Sequence, residues 1–228
     1  QTFRDMEKPD TKYWEHPVLH WNEARSHACY RVSPDRFEAY ADKSAVGYFS
    51  GVIVDRPFET GKRYYFELAV KSTPISSSDL QVKVGLTSLS SLPGDYGFSD
   101  RDTGWSYYLW ESGYCRHNSN SGGNQYGSGY RLNQTLGVYV DLMEGTLAFS
   151  VDGVYYGHCF SDLSLENTYH FAVGMNNNCQ YLELLRKVPF CWQTRSPLLF
   201  LKKFMVPGRD LLSRLKPVHY RELVMFLC

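Results

Sequence analysis

The stretch GVYVDLMEGTLAFSVDGVYYG, residues 137–157, contains two apolar–polar alternations that are separated by one tight turn and closed by another. Successive side chains of a strand point to opposite faces, so every second residue of each half is expected to face a core. The core-facing residues predicted in this way are Val138, Val140, Leu142, Leu147, Phe149 and Val151. Glu144-Gly145 and Asp152-Gly153 supply the two turns, because glycine readily takes the positive φ that such bends need. The stretch therefore predicts a β-hairpin that serves as scaffold.

Similar strand patterns occur along most of the chain. They are GYFSGVIVD (47–55), RYYFELAVKS (63–72), DLQVKVGLTS (79–88), WSYYLWESGYCRH (105–117), YHFAVGM (169–175) and CQYLELL (179–185). Strand signals recur about every ten to fifteen residues, and no segment before residue 190 has a helical period. Such spacing is typical of an antiparallel sandwich, so the fold class is predicted to be all-β with two antiparallel sheets.

Three segments are predicted from the distribution of polar and apolar residues. Residues 1–17 are polar and are expected to form a flexible leader, and residues 18–188 are expected to hold the sandwich. Residues 189–228 carry apolar residues at mixed helical spacings that are interrupted at Pro207-Gly208, which predicts a short α-helical C-terminal extension. Within the sandwich, the glycine-rich stretch 118–130 is expected to be a long exposed loop.

The composition narrows the classes of partner. The chain has 228 residues, of which 43% are hydrophobic, and its 24 basic residues equal its 24 acidic ones. A balanced charge gives no overall field that would favour nucleic acid or an acidic membrane, so neither is expected as a partner. Aromatic residues reach 16%, and such enrichment suits both β-structure and a recognition surface.

The cysteines are far apart and form no Cys-x-x-Cys pair. They are Cys29, Cys115, Cys159, Cys179, Cys191 and Cys228. A structural zinc site is therefore not expected, and we predict neither a metal site nor a cofactor. The N-terminal residues are charged and lack the apolar core of a signal peptide, so we predict reduced thiols and a cytoplasmic protein, with the nucleus as the alternative.

No residue set has the pattern of a catalytic centre, and the chain is not expected to be an enzyme. His158-Cys159 and Cys115-Arg116-His117 are the nearest to a metal pair or a Cys/His dyad. Neighbours on a strand point to opposite faces, and buried thiols are the favoured interpretation. Asp141 and Asp152 are better explained as hairpin residues than as paired carboxylates.

Binding residues concentrate on loops held by a rigid scaffold, and the loops of this chain supply the candidates for partner contact. The candidate partner-binding residues are Tyr48, Phe49, Thr87, Ser88, Tyr96, Phe98, Trp110, Tyr114, Met175, Asn176, Asn177 and Asn178. The three successive asparagines present uncharged donors and acceptors that suit a peptide backbone, although a polar turn that satisfies its own backbone would have the same sequence.

Four pieces of the chain, in order, carry a resemblance to a known family. They are GKRYYFELAV (61–70), VKVGLTS (82–88), GWSYYLW (104–110) and LGVYVDLMEGTLAFSVDG (136–153). In these pieces the chain resembles the SPRY (B30.2) domain family, over about residues 18–187. LHWNEARS, residues 19–26, is similar to the opening segment of the SPRY-domain SOCS-box proteins. The resemblance implies a bent β-sandwich whose loops bind a short linear peptide or a protein partner.

The same resemblance implies a role for the C-terminal extension. In the SOCS-box subgroup a C-terminal box recruits Elongin B/C and a cullin, and the domain selects substrates for ubiquitination. Residues that would match such a docking box are Pro197, Leu198, Leu201, Val206, Leu212 and Leu215. Lys202 stands where the box has a cysteine, and the loop and last-strand motifs of the subgroup are replaced here by Ser44-Ala45-Val46 and Asn176-Asn177-Asn178.

Two other functions fit the pattern less well. A SPRY domain can act as a scaffold or regulatory part of a larger protein without any ligase role. A two-sheet sandwich can also bind glycans through tryptophan and tyrosine stacking and asparagine hydrogen bonds. A secreted lectin would normally carry a signal peptide, and many need calcium ligands that the sequence does not show.

Overall fold

The computed structural model describes residues 7–41, 49–72, 81–94, 96–109, 113–176 and 180–185. These lie in a compact unit, Gln1–Lys187, and the second unit of the chain, Val188–Cys228, is outside the described residues. The predicted helical extension and the docking residues of the tail are therefore outside them too. The described part contains no helix long and apolar enough to cross a lipid bilayer.

Thirteen strands are present in the described ranges, and they form two antiparallel sheets, as the sequence predicts. The seven-stranded sheet has, in spatial order, β1 (Tyr30–Val32), β2 (Glu38–Ala41), β13 (Gln180–Leu185), β4 (Arg63–Ser72), β9 (Leu136–Asp141), β10 (Thr146–Val151) and β11 (Val154–Phe160). The six-stranded sheet has β3 (Ser50–Ile53), β12 (His170–Met175), β5 (Val82–Thr87), β6 (Gly104–Tyr108), β7 (Tyr114–His117) and β8 (Asn124–Gln125).

The main core lies between the two sheets and is built from every second residue of their strands. From the six-stranded sheet, β5 contributes Val82, Val84 and Leu86. From the seven-stranded sheet come all six residues that the alternation in the opening hairpin predicts to face inward. The intervening residues of each strand lie on the outer face of their sheet, because the side-chain period of a strand is two.

The hairpin of residues 137–157 forms as predicted, with Thr146 paired to Asp141 at its closed end. Gly145 has φ 69° and Gly153 has φ 81°, so both glycines take the left-handed conformation that the turns require. Asp141 holds the first turn, because its carboxylate accepts hydrogen bonds from the backbone N–H groups of Met143 (2.9 Å) and Glu144 (3.1 Å).

We expect Gly145→Val to destabilise the fold more than Gly153→Val. Both substitutions force a β-branched residue to positive φ, which costs roughly 1–2 kcal/mol. A Cβ at Gly145 would also lie 2.6 Å from the carbonyl oxygen of Leu163, whereas a Cβ at Gly153 would meet no atom within 4 Å. Urea unfolding midpoints of the two variants measure the difference, and equal midpoints would show that the contact with Leu163 relaxes without cost.

The outer face of the seven-stranded sheet is covered at one end by the N-terminal segment. Trp14 packs edge-on against Tyr139 with ring centroids 6.1 Å apart, and Glu15 is bridged to Tyr64 of β4. Tyr65 and Tyr139 are consequently buried, although the alternation places them on the outward side. The leader predicted for residues 1–17 is thus attached to the sheet near its C-terminal end.

The glycine-rich stretch 118–130 is not an entirely exposed loop, so that expectation is wrong in part. Asn124–Gln125 form β8, and the rings of Tyr126 and Tyr130 are buried in the core. The Tyr126 hydroxyl donates to the carbonyl of Gly157 (2.7 Å) and accepts from the N–H of Phe149 (2.9 Å). The tyrosine hydroxyl bonds backbone groups that the strand ladder leaves unpaired. The glycine and serine content of the stretch gave no indication of this role.

The expectation of reduced thiols is also corrected for one pair. Cys115 of β7 and Cys159 of β11 form a disulfide, with their Cα atoms 5.8 Å apart. The bond joins the six-stranded sheet to the seven-stranded sheet across 44 residues of sequence. The spacing of these cysteines carried no pairing signal, because the connectivity of distant cysteines depends on the fold.

Candidate functional site

On the outer face of the six-stranded sheet, one half is covered by loop residues, and on the other Lys83, Tyr108 and Arg116 are buried while Phe49 and Tyr114 are half-buried. Residues of the segment between β5 and β6 cover the first half, where Leu92 and Phe98 pack against Ile53 of β3 and Ala172 of β12. The other half carries five side chains that we name the aromatic–cationic patch. The members of this patch are Phe49, Lys83, Tyr108, Tyr114 and Arg116.

The patch is held by contacts between rings and cations. The rings of Phe49 and Tyr108 meet edge-to-face with centroids 5.6 Å apart. The ammonium of Lys83 lies 4.4 Å from the centroid of the Phe49 ring, and the guanidinium of Arg116 lies 4.2 Å from that of Tyr108. A cation over an aromatic face is attracted by the ring quadrupole. Tyr114 is the direct cross-strand partner of Tyr108, so both side chains stand on one face.

Lys83 is fully buried, which is unusual for a lysine on the outer face of a sheet. Its ammonium donates to the carboxylate of Asp100, which also accepts a hydrogen bond from the N–H of Gly97 (3.1 Å). Burial lowers the pKa of Lys83 below its ordinary value, Asp100 opposes that shift, and the nearby charge of Arg116 adds to it. The ion pair therefore fixes the turn around Gly97–Asp100 to the sheet.

Arg116 is also mostly buried, and only part of its hydrogen-bonding capacity is used. One terminal nitrogen, Nη1, donates to the carbonyl of Asn120 at 2.7 Å. Nε is buried and has no hydrogen-bond partner among the described residues. The buried Nε is out of reach of a partner, but a guanidinium has five N–H donors in a fixed fork, so the terminal nitrogens keep donors for a carbonyl or carboxylate group of a partner.

Tyr96 and Arg101 lie on the segment that follows β5, on either side of the stretch Gly97–Asp100 that binds Lys83 of the patch. The Arg101 guanidinium lies 4.1 Å from the centroid of the half-buried Tyr96 ring. Thr87 and Ser88 hold the base of this segment, since their hydroxyls donate to the carbonyl of Thr103 at 3.0 and 3.4 Å. Thr87 is fully buried, so it supports the segment rather than presenting a contact surface.

The structure separates the sequence-predicted contact residues into three groups. Phe49, Ser88, Tyr96, Tyr114 and Asn176 are partly accessible. Thr87, Phe98 and Met175 are core residues, which corrects their assignment as contacts. Those outside the described residues are Tyr48, Trp110, Asn177 and Asn178, together with the tail residues Pro197, Leu198, Leu201, Val206, Leu212 and Leu215.

Met175 illustrates why loop position alone was misleading. It is the last residue of β12, and its side chain is buried between the sheets. Its backbone N–H donates to the hydroxyl of Tyr30 (3.0 Å), which donates in turn to the carbonyl of Ser50 (2.8 Å). Asn176 follows and donates its side-chain amide to Gln81, so it is already engaged within the domain.

Sequence reasoning missed Lys83, Tyr108, Arg116 and Asp100. The signal for Lys83 was present, because a lysine between Val82 and Val84 in a strand must face the side opposite the core. No sequence pattern indicated Asp100, because its pairing with Lys83 joins β5 to a residue of the long loop before β6.

No group of three or more histidine, cysteine or acidic side chains is arranged to hold a metal ion in the part of the chain that the structure describes. What the outer face offers instead is aromatic area, guanidinium donors and a buried ion pair on rigid strands. These are features of a surface that recognises another molecule.

The two packed antiparallel sheets place the chain in the class of β-sandwich domains. The profile of the SPRY domain matches residues 63–185, more than half of the chain. The chain belongs to the SPRY domain family, whose members are protein–protein interaction modules. A comparison with curated protein sequences finds no significant match.

Solved structures of similar fold agree with this assignment. The TRIM65 PSpry domain is 18% identical with a TM-score of 0.58, and the match covers 75% of this chain and 94% of that one. The SPRY domain of human HERC1 is 12% identical with a TM-score of 0.58, covering 72% and 96%. The NHR1 domain of Drosophila melanogaster neuralized is 16% identical with a TM-score of 0.53, covering 75% and 99%. At these identities the likeness shows the fold.

Proposed function

We propose that the chain is a non-enzymatic interaction module that binds a short peptide or a partner's surface loop at the aromatic–cationic patch. The observation that carries the proposal is the cluster of Phe49, Tyr108 and Tyr114, with the Arg116 guanidinium over the Tyr108 ring and only its Nη1 bonded within the domain. Aromatic and arginine side chains supply most of the binding energy in protein interfaces.

The rigidity of the patch supports this role. Its members come from, or directly precede, strands of one sheet, so little side-chain or loop ordering is needed on binding. Lys83 and Arg116 are both cationic, and Asp100 balances only one of them among the residues of this region that the structure describes. A partner that offers a backbone carbonyl or an acidic side chain would complement the remaining charge.

We expect Phe49→Ala and Arg116→Gln each to weaken peptide binding by about tenfold or more, which is the effect of removing a hot-spot residue. The probe is a set of peptides selected against the full chain from a displayed random library, with affinities measured by titration calorimetry. Arg131→Gln is the matched control, because Arg131 is exposed and lies outside the patch.

The control is expected to bind the selected peptides as the parent chain does. Thermal unfolding of each variant separates lost contacts from lost folding. Equal affinities for all three variants, with cooperative unfolding preserved, would remove the patch from the binding site.

We further propose that this recognition selects substrates for a ubiquitin ligase. The support is the sequence resemblance to the SPRY-domain SOCS-box proteins in residues 19–26 and in the Glu144-Gly145-Thr146-Leu147 turn, which is similar to theirs. In this proposal the docking residues of the tail contact Elongin B/C and a cullin, and the chain acts in the cytoplasm or the nucleus.

A double substitution in the full chain tests the ligase role. We expect the unmodified chain to retain purified Elongin B/C and the Leu198→Asp/Leu201→Asp variant to lose it, because acidic groups cannot be buried in an apolar docking interface. Binding of library-selected peptides should be unaffected by the double substitution. Failure of the unmodified chain to retain Elongin B/C would contradict the ligase role and leave peptide recognition standing.

A further inference from the structure

The disulfide between Cys115 and Cys159 lies at the open side of the sandwich. β7, which carries Cys115, is the second-last strand of the six-stranded sheet, and β11, which carries Cys159, is the last strand of the seven-stranded sheet. The strand ladders of the two sheets are separate. The bond is therefore a covalent link between two layers that otherwise meet through side-chain packing and through hydrogen bonds such as those of the Tyr126 hydroxyl.

Both cysteines line a cleft that opens to solvent. The cleft has a volume of about 570 Å³ and is bounded by the β7–β8 hairpin on one side and by the end of β11 on the other. Its lining includes Gly123 and Asn124 of the hairpin and Asp162 beyond β11. Cys115 is only 7% exposed, whereas Cys159 is partly buried at the margin of the core. The bond therefore borders a cleft that opens to solvent, and Cys159 is its more accessible half.

The strand that carries Cys115 also carries part of the aromatic–cationic patch. Tyr114 and Arg116 are its immediate neighbours and stand on the opposite, outer face. Arg116 is further tied to the β7–β8 hairpin by its bond to Asn120. Whatever holds Cys115 against β11 therefore also fixes two members of the patch.

We propose that Cys115–Cys159 is a thiol–disulfide exchange site that takes a small thiol of the glutathione class and controls the placement of Tyr114 and Arg116. The exchange reaction at the disulfide does not depend on any partner of the patch. The control of Tyr114 and Arg116 rests on the proposed function of the patch. Accessible disulfides are the ones that exchange readily, in contrast to fully enclosed structural bridges.

The exchange proceeds in two balanced steps. A thiolate attacks the sulfur of Cys159, the Cys115–Cys159 bond breaks, and Cys115 leaves as a thiolate that takes up a proton. A second thiolate attacks the sulfur of the small thiol in the mixed disulfide and releases Cys159, which is protonated in turn. The protein disulfide gains two electrons and two protons, and the two small thiols leave as their oxidised dimer.

The exchange reaction itself is tested on the full chain, in buffers that contain reduced and oxidised glutathione at a series of ratios. Mass spectrometry of alkylated peptides then measures how much of the chain holds the bridge. We expect the bridge to form and break reversibly under native conditions. Cys115→Ser, which leaves Cys159 alone, should form a mixed disulfide with oxidised glutathione at least about tenfold faster than its matched control Cys159→Ser, because reaction rate follows access of the thiolate.

Three results would each overturn the exchange site. They are a bridge that breaks only after denaturant unfolds the chain, a bridge that never forms, and equal rates of mixed-disulfide formation for the two single variants.

The influence of the disulfide on the patch is tested in the same buffers, by amide hydrogen exchange and by the affinity for library-selected peptides. Reduction of the disulfide should speed amide hydrogen exchange in residues 114–125. It should also weaken the binding of library-selected peptides by about tenfold, an effect comparable to the loss of one patch residue. Unchanged exchange and affinity in the reduced chain would overturn the control while leaving the exchange site intact. Failure of any peptide to bind the oxidised chain would instead reject the proposed function of the patch.

Discussion

Replacing Asp100 by alanine is expected to lower the free energy of unfolding by about 3–5 kcal/mol, the range measured when one partner of a buried ion pair is removed. The reason is that the ammonium of Lys83 would remain fully buried without its carboxylate. Chemical denaturation of the variant measures the loss. A loss under about 1 kcal/mol would mean that the Lys83 side chain reaches solvent by another route and that the ion pair does not organise the patch.

The double variant Lys83→Met/Asp100→Leu is the control for this prediction. It removes both charges and keeps apolar volume, so its loss of stability should be much smaller than that of Asp100→Ala. The free energy of unfolding of Asp100→Ala should also rise between neutral pH and about pH 10. The reason is that a buried lysine with a lowered pKa contributes stability in its neutral form, and that contribution is lost as the pH falls. The double variant should show no such rise.

Tyr126→Phe is expected to destabilise the domain by about 2–6 kcal/mol, because two buried backbone groups each lose a partner at about 1–3 kcal/mol apiece. The groups are the N–H of Phe149 and the carbonyl of Gly157, where the register between β10 and β11 shifts. Burial also raises the pKa of Tyr126 well above its usual value, in keeping with a hydroxyl that acts only as a hydrogen-bonding group. Thermal or urea unfolding measures the effect.

Tyr107→Phe is the matched control for Tyr126→Phe. The two rings lie 5.2 Å apart in the same core, but the Tyr107 hydroxyl is buried without a hydrogen-bond partner among the described residues. Removing it should be neutral or slightly stabilising, since a buried polar group without a partner is unfavourable. A similar loss for both variants would show that volume, rather than hydrogen bonding to the irregular ladder, sets the effect at Tyr126.

The sequence predicted the sandwich because its strands alternate cleanly and its turns contain glycines at the positions of positive φ. The pattern in residues 137–157 defines both faces of the hairpin by itself. It does not reveal that the outward face is also buried under Trp14, because that coverage depends on a segment more than one hundred residues away in the sequence. Alternation reports which residues share a face and does not report what covers that face.

The candidate site was predicted less well for a related reason. Phe49, Tyr96 and Tyr114 were named as candidates because binding residues concentrate on loops held by a rigid scaffold, and all three are partly accessible in the structure. Lys83 and Arg116 were missed, since each sits inside a strand and acquires its partner from a distant loop or hairpin. The disulfide was missed because cysteine pairing follows the spatial order of the strands, which the sequence does not state.

The crystal structure of the full chain with a library-selected peptide is the most direct test of the central claim. We predict that the peptide lies on the outer face of the six-stranded sheet, within about 4 Å of Phe49, Tyr114 and Arg116. The guanidinium of Arg116 should donate to a carbonyl or carboxylate oxygen of the peptide. A peptide bound instead beside Trp14 on the seven-stranded sheet, or in the cleft at Cys159, would contradict the assignment of the patch as the recognition surface.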